Sequence, residues 1–244
     1  MIFYFSGTRN SLYAARYLLN EGERLVSIAE AVKNGEYDYT VSKGESIGFV
    51  FPVYFYTVND LVLDFVRKLN LDRHGYVYAV ITCGGGIGGS GAVLKKELEK
   101  KGIKLCRVFD LLMPDNSMLF YNIPPQEEAN KRLPAAEEKL KEIKQAVLNK
   151  KCRDIRGSAL AAPMRFAYHR MSSTKGFRAT DKCIGCGLCE RNCPEQAIKL
   201  ENGSPVWVRP KCIRCSACIN RCPVQAIEYG RGTVGRNRYV NPNV

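Results

Sequence analysis

Residues 182–194 read KCIGCGLCERNCP, and residues 211–223 repeat the pattern as KCIRCSACINRCP. Each stretch holds four cysteines, with two, two and three residues between them, and a proline follows the last. An Ala-Ile pair, beginning three residues after each proline, extends the repeat beyond the cysteines. Eight of the 11 cysteines lie in this repeat, which predicts one ligand-bearing unit in the last quarter of the chain.

Three uses of such a cysteine-dense segment compete. Disulfides are typical of secreted chains, and we expect this chain not to be exported. A zinc site would need four ligands per metal, usually as two separated Cys-x2-Cys pairs. Two uninterrupted runs that each end in proline favour iron-sulfur ligation, because this is the spacing of the bacterial iron-sulfur ligand run.

Residues 181–229 resemble a bacterial-type ferredoxin domain with two 4Fe-4S clusters. In such ferredoxins the fourth cysteine of each run serves the other cluster. The resemblance therefore implies two crossed ligand sets, one of Cys183, Cys186, Cys189 and Cys222, and one of Cys193, Cys212, Cys215 and Cys218.

The first 150 residues alternate short apolar runs with amphipathic stretches, as successive βα units do. Predicted strands are 2–5, 24–27, 46–53, 76–82 and 104–110, and predicted helices are 11–19, 58–69, 91–101 and 126–149. Such crossovers predict an α/β fold, a five-stranded parallel sheet with helices on both faces. We predict this domain over residues 1–150, a basic connector over 151–179, and a small α+β cluster domain with a basic tail over 180–244.

A polar loop follows the first predicted strand, in the run FSGTRNS of residues 5–11. Open α/β sheets bind ligands beyond the carboxyl ends of their strands, where helix amino termini favour phosphate. The candidate donors are Ser6, Thr8, Asn10, Ser11 and the amides of residues 8–11. A simple helix cap by Ser or Asn is the alternative. The run resembles the FMN-phosphate loop of flavodoxins, but Arg9 stands where those proteins usually have glycine. Arg9 either adds charge to phosphate binding or strains the turn, if that position needs a positive φ.

Two further loops are predicted at the same edge of the sheet. Residues 52–56 form the aromatic run PVYFY, where a flavodoxin-like fold places its flavin ring; Tyr54 is the first candidate to stack on it and Tyr56 the second. For Phe55 alone, a place in the core strand is the alternative. The glycine-rich run that starts at Thr82 lets backbone amides approach a flat ring. The candidate contacts of the two loops are Pro52, Val53, Tyr54, Phe55, Tyr56, Thr82, Cys83, Gly84, Gly85 and Gly86.

The glycine-rich loop also matches the pattern G-x-G-x-x-G at residues 84–89, with Asp110 21 residues beyond it. After a strand and before a helix, this is the context of a dinucleotide fingerprint. We rank it second, because it lies in the middle of the domain and the first loop already supplies a phosphate site.

Composition excludes several classes of protein. The 45% of hydrophobic and 25% of charged residues are ordinary for a globular chain and exclude global disorder. The longest uncharged apolar stretch, residues 46–59, has 14 residues and is too short to cross a bilayer. The basic region that opens a signal peptide is missing before the first apolar run. We therefore expect a cytoplasmic protein.

The formal charge of +13 is unevenly distributed. Residues 131–180 carry 13 basic and 4 acidic residues, whereas residues 1–130 carry 14 and 15. Steering of an acidic redox partner is the leading explanation of this excess. Nucleic-acid binding through Arg231, Arg236, Arg238 and the connector ranks last.

Taken whole, the chain resembles the flavodoxin-ferredoxin fusion proteins of anaerobic bacteria and archaea. The resemblance implies an intracellular electron-transfer protein that relays electrons between two 4Fe-4S clusters and a bound FMN. The alternative is a reductase that uses the same cofactors to reduce a small substrate or to exchange hydride with a nicotinamide. The sequence shows no acid-base pair, and we assign no catalytic residue.

Overall fold

The computed structural model of the protein describes residues 1–155 and 161–244. Part of the predicted connector, residues 156–160, lies outside the described residues. The first elements are β1 (Ile2–Tyr4), α1 (Asn10–Leu18), β2 (Leu25–Ser27), α2 (Ile28–Asn34), β3 (Asp38–Tyr39), β4 (Ile47–Pro52), α3 (Asp60–Lys68), β5 (Asn70–Leu71), β6 (Val77–Cys83), α4 (Ser90–Glu99) and β7 (Leu105–Leu112). They are followed by α5 (Gln126–Asn130), α6 (Leu133–Leu148), α7 (Ala161–Arg170), β8 (Phe177–Ala179), α8 (Leu188–Arg191), β9 (Ile198–Glu201), β10 (Ser204–Trp207), α9 (Ala217–Asn220) and β11 (Ile227–Tyr229). Among the described residues, no helix combines the length and the apolar character that a membrane crossing requires.

Five parallel strands form the central sheet, in the order β2-β1-β4-β6-β7. In β1, Phe3 pairs with Val26 on one side and with Phe49 on the other. The strand order reverses at β1, so the loops after β1 and β4 leave a crevice at their carboxyl ends. The predicted five-stranded parallel sheet is therefore confirmed.

Helices cover both faces of the sheet. Alternate residues of β4 point to opposite sides: Phe49 and Phe51 pack in the core with α2, α3 and α4. Val50 packs on the other side with Val80 and the helices α1 and α6. Burial on both faces leaves β4 and β6 apolar along almost their whole length, which is why they are recognisable in the sequence.

Two helical regions differ from the prediction. The sequence analysis placed no helix at α2, which begins where the Ser27 side chain accepts a hydrogen bond from the Glu30 amide at 3.3 Å. The single helix predicted over 126–149 is divided into α5 and α6, and Pro134 lies in the first turn of α6. Proline is tolerated there because the first amides of a helix have no partner within it.

Antiparallel pairs surround the cysteine repeat. The strands β9 and β10 form a hairpin through Asn202 and Gly203, whose φ angles of 49° and 77° suit a two-residue turn. The strand β8 pairs with β11, so residues 177–179, predicted as connector, lie in the sheet of the carboxyl-terminal region. The short helices α8 and α9 occupy equivalent positions in the two halves of the repeat.

The last residues of the chain connect this region to the first loop of the sheet. Tyr239 is fully buried; its amide donates to the Asn220 side chain at 3.0 Å, and its hydroxyl donates to the Asn10 side chain at 3.2 Å. Arg236 and Arg238, two of the three tail arginines considered for nucleic-acid binding, donate hydrogen bonds to groups inside the molecule.

Candidate functional site

The eight cysteines of the repeat line two separate cavities. The first cysteine cavity contains Cys183, Cys186, Cys189 and Cys222. The second cysteine cavity contains Cys193, Cys212, Cys215 and Cys218. In each, three cysteines of one run meet the last cysteine of the other run, which is the crossed arrangement expected from the sequence. The walls are largely apolar, with Leu188, Leu200 and Pro205 around the first cavity and Phe177, Trp207 and Ile213 around the second.

Left-handed backbone conformations shape both cysteine loops. Gly185 and Gly187 have φ angles of 65° and 71°, and the equivalent residues of the second run, Arg214 and Ser216, have 55° and 57°. Residues with a side chain adopt this conformation at a cost of about 1–2 kcal/mol. A Cβ atom at Gly185 would lie only 2.9 Å from the carbonyl oxygen of Gly203. The loop of the first cysteine run therefore requires glycine at position 185. The loop of the second run has Arg214 at the equivalent position, in a strained left-handed conformation.

Backbone amides donate to sulfur at equivalent places in the two halves. The Ala197 amide lies 3.2 Å from Cys193 Sγ, and the Ala226 amide lies 3.2 Å from Cys222 Sγ. Such N–H···S contacts stabilise a thiolate and tune the potential of a cluster that it binds. The backbone at each alanine of the Ala-Ile pair thus supplies the donor, and both residues of each pair are buried next to the cysteine loops.

The protonation of the thiols fits metal-dependent assembly. Burial raises the pKa of Cys189, Cys212, Cys215 and Cys218, so these thiols are protonated until a metal binds and deprotonates them. In residues 1–155 and 161–244, no three His, Cys, Asp or Glu side chains converge on one ion position. A cubane requires no such convergence, since each of its four thiolates binds a different iron. The residues present therefore fit 4Fe-4S clusters.

A third cavity, the loop cavity, lies at the carboxyl ends of β1, β4 and β6. It brings together parts of the three loops predicted as flavin contacts, namely Ser6, Gly7, Thr8, Asn10, Ser11, Pro52, Val53, Thr82, Cys83 and Gly84. Residues 113–117, which follow β7, complete it. Sequence analysis missed this fourth loop, although the polar run of residues 115–117 follows a strand at the same edge.

The first loop keeps donors available for an anion. Within the parts of the chain that the structure describes, the amides of residues 7–12 donate no hydrogen bond. They lie at the amino terminus of α1, where the helix dipole favours negative charge. The side chains of Asn10 and Ser11 bond to Pro114 O at 2.9 Å and Thr82 Oγ1 at 2.7 Å. The Thr8 hydroxyl accepts a hydrogen bond from the Asn116 side chain of the fourth loop, so its own proton is still available to donate.

Arg9 does not line the loop cavity, although it belongs to the predicted phosphate loop. Its φ of 72° is left-handed, the conformation in which glycine is favoured. The guanidinium donates to the carbonyl oxygen of Val244 at 2.8 Å and lines a different cavity, next to the cysteine loops. Of the other predicted phosphate donors, Ser6 lines both cavities, whereas Thr8, Asn10 and Ser11 line only the loop cavity.

A fourth cavity, the aromatic cavity, adjoins the loop cavity and has a volume of about 440 Å³. Tyr54, Phe55 and Tyr56 line it together with residues 84–86, so it unites the remaining predicted ring contacts. Its volume is within the range of small-molecule sites. Sequence analysis missed several of its walls, which are Asp115, Asn116, Ser117, Phe120, Tyr121, Met171, Arg214, Cys215 and Ser216.

The predicted ring contacts have different environments. The Tyr54 hydroxyl is buried without a hydrogen-bond partner among the described residues, and burial raises its pKa. Tyr56 is 57% exposed at the mouth of the aromatic cavity. The Cys83 thiol faces the carbonyl oxygen of Leu111 at 3.8 Å, and burial raises its pKa to about 11. We therefore expect Cys83 to contact a ligand in the loop cavity through its backbone and not through a thiolate.

One cysteine loop borders two cavities. Arg214, Cys215 and Ser216 line both the aromatic cavity and the second cysteine cavity. The same loop contacts the amino-terminal loop, since a Cβ atom at Gly7 would lie 2.4 Å from the carbonyl oxygen of Cys215. Glycine at position 7 is thus what permits this approach.

Comparisons with known proteins agree with the cysteine site. Residues 182–227 match the family model of the 4Fe-4S dicluster domain. No curated protein matches the chain. Among solved structures, the chain is similar to the Trp repressor binding protein from Bacillus subtilis at 12% identity and a TM-score of 0.26, over 56% of this chain and 94% of that one. The domain match and the eight cysteines show a ferredoxin-like region that binds 4Fe-4S clusters and has an electron-transfer role.

Proposed function

We propose that the chain relays electrons between two 4Fe-4S clusters, one in each cysteine cavity, and an FMN that occupies the loop and aromatic cavities. The observation that carries the proposal is the shared wall of residues 214–216 between the aromatic cavity and the second cysteine cavity. A ring and a cluster on the two sides of one loop would be close enough to exchange electrons without a mobile carrier.

The chain's own residues have separate parts in this proposal. The free amides of residues 7–12 and the hydroxyls of Ser6 and Thr8 would hold the FMN phosphate, and Tyr54 and residues 84–86 would flank the ring. Bound FMN exchanges one or two electrons and a 4Fe-4S cluster exchanges one, so the pair converts between the two kinds of partner. The apolar walls of the second cysteine cavity, whose four cysteines are all partly buried, would limit water around a cluster there and so tune its potential.

The domain limits and the partner remain parts of the same proposal. Residues 1–150 would form the FMN domain, residues 151–176 the connector and residues 177–244 the cluster domain, which includes β8 because this strand pairs with β11. A redox partner with an acidic surface would suit the basic excess of residues 131–180, which carry 13 basic and 4 acidic residues.

Cofactor content tests the proposal directly. Protein purified without oxygen should contain about eight irons and as many sulfides per chain, together with about one FMN. Iron, acid-labile sulfide and flavin assays on the same sample, with an absorption spectrum, measure these contents. Protein that holds zinc alone, or iron without any flavin, would contradict the relay.

We expect the charge of Arg214 to raise the potential of the bound flavin. Its guanidinium is buried, lines the aromatic cavity and lies 4.4 Å from the ring centre of Tyr229, and no carboxylate of the described residues pairs with it. A positive charge stabilises the negative charge that reduction adds to the ring. Arg214→Gln should therefore lower the two-electron potential by about 40 mV, or about 2 kcal/mol.

A spectroelectrochemical titration of the flavin measures this shift. Lys175→Gln, which removes an exposed charge outside the aromatic cavity, is the matched control. Both variants should retain the iron content of the wild type, and an unchanged flavin potential in Arg214→Gln would refute the assigned role.

A further inference from the structure

A fifth cavity, the basic cavity, lies between the sheet and the second cysteine loop and has a volume of about 330 Å³. One wall comes from the loop after β1 and from α1 and α2, and the opposite wall includes Cys193 and Cys215. Its charged side chains are five cations and one carboxylate, namely Arg9, Arg16, Lys33, Arg191, Arg221 and Glu30. The cavity thus combines the volume of a small-molecule site with a strong positive charge.

Four of the five cations lack partners of opposite charge. Among the described residues, no acidic side chain forms an ion pair with Arg16, Lys33, Arg191 or Arg221. The fifth, Arg9, donates to the main-chain oxygen of Val244, the last residue of the sequence, at 2.8 Å, and Val244 lines the same cavity. The cavity therefore brings like charges together along its lining.

Compensation of cluster charge explains only part of this arrangement. A thiolate-bound cluster at Cys193 and Cys215 would attract cations to the cysteine-loop wall. Arg16 and Lys33, however, lie in α1 and α2 on the sheet side of the cavity. Charge compensation also needs no empty volume between the groups, whereas ligand binding does.

We propose that the basic cavity binds a small organic oxyanion that carries at least two negative charges and is distinct from the flavin. Guanidinium groups bind carboxylate and phosphate in bidentate fashion, and four of the five cations are arginines. Tyr4, Phe5 and Leu12 supply apolar surface for the carbon part of such a ligand. Because Arg9 lines this cavity and not the loop cavity, its side chain serves the oxyanion rather than the flavin phosphate.

Isothermal titration calorimetry of the holoprotein tests the proposal, with pyrophosphate and citrate as separate probes at about 0.15 M salt. We expect saturable binding of at least one probe at a single site; the tighter of the two identifies phosphate or carboxylate as the recognised group. Arg16→Gln/Lys33→Gln should weaken this binding by at least about tenfold, because two charge-assisted contacts are lost. Both positions are exposed on helices, so the fold should persist.

A matched control variant removes two positive charges from surface positions outside the basic cavity. Lys43→Gln/Lys96→Gln changes two exposed lysines that do not line the basic cavity, and should leave the affinity unchanged. Equal weakening in both double variants, or no saturable binding of either probe, would overturn the proposal. Release of flavin by the probe would also overturn it, because the anion would then occupy the loop cavity. Flavin-free protein should bind the probe equally well, so a failure of the FMN assignment stays distinguishable.

Discussion

Cys189→Ala is expected to reduce the iron content of anaerobically purified protein from about eight to about four per chain. Cys189 lies in the first cysteine cavity with Cys183, Cys186 and Cys222, so its loss removes one ligand from that set and none from the second. The carboxyl-terminal region should also lose stability, because binding of metal to a site absent from the unfolded chain contributes folding free energy. Iron and sulfide assays and a thermal melt measure the two effects.

Cys152→Ala is the matched control for this experiment. Cys152 is exposed and lines neither cysteine cavity, so the variant should retain about eight irons and the melting temperature of the wild type. Cys189→Ala protein that keeps its full iron content would contradict the ligand assignment.

Arg238→Leu is expected to lower the free energy of unfolding by about 3–5 kcal/mol, since it leaves a buried carboxylate without its partner. Arg238 lies 2.9 Å from Glu228, and the two side chains are only 5% and 9% exposed. Arg238 also donates to the carbonyl oxygens of Arg236 and Ile227, at 3.0 Å and 3.3 Å. The ion pair therefore fastens the last residues of the chain to β11. Denaturant unfolding followed by circular dichroism measures the change.

The double variant Arg238→Leu/Glu228→Leu separates the unpaired charge from a general loss of packing. Removal of both charges should restore much of the lost stability, because a buried pair is often replaced by apolar side chains at little cost. If the double variant is as unstable as Arg238→Leu, the stranded carboxylate is not the cause. A single variant as stable as the wild type would show that the pair is dispensable.

The sequence could predict those elements whose place in the fold buries nearly all of their residues, because such elements are apolar along their whole length. The strand β4 has helices on both sides, so residues 47–51 are all apolar. The cysteine runs were equally recognisable, since the spacing of thiolates along the chain limits which metal groups they can surround.

The prediction failed where a tertiary contact decided the local structure. The helix α2 is too short for a clear apolar periodicity, and it is stabilised by the Ser27 cap and by packing of Ile28 and Ala31 against the sheet. The division between α5 and α6 was missed because apolar residues recur on both sides of it. Ala129 of α5 packs with Ile219 and Tyr239, whereas α6 packs on the sheet.

The amino-acid sequence alone determined the sheet, the two cysteine runs and three of the four loops at the edge where a ligand can bind, because spacing and periodicity encode local backbone geometry and burial. Only the tertiary structure decided that Arg214 borders the aromatic cavity, that Arg9 does not line the loop cavity, and that Arg16 and Arg221 line one basic cavity. These residues come from segments about 200 positions apart. No local sequence pattern specifies contacts between such distant segments. They depend on how the cysteine region packs on the sheet, where Gly7 lies against Cys215 and the buried Tyr239 bonds to Asn10.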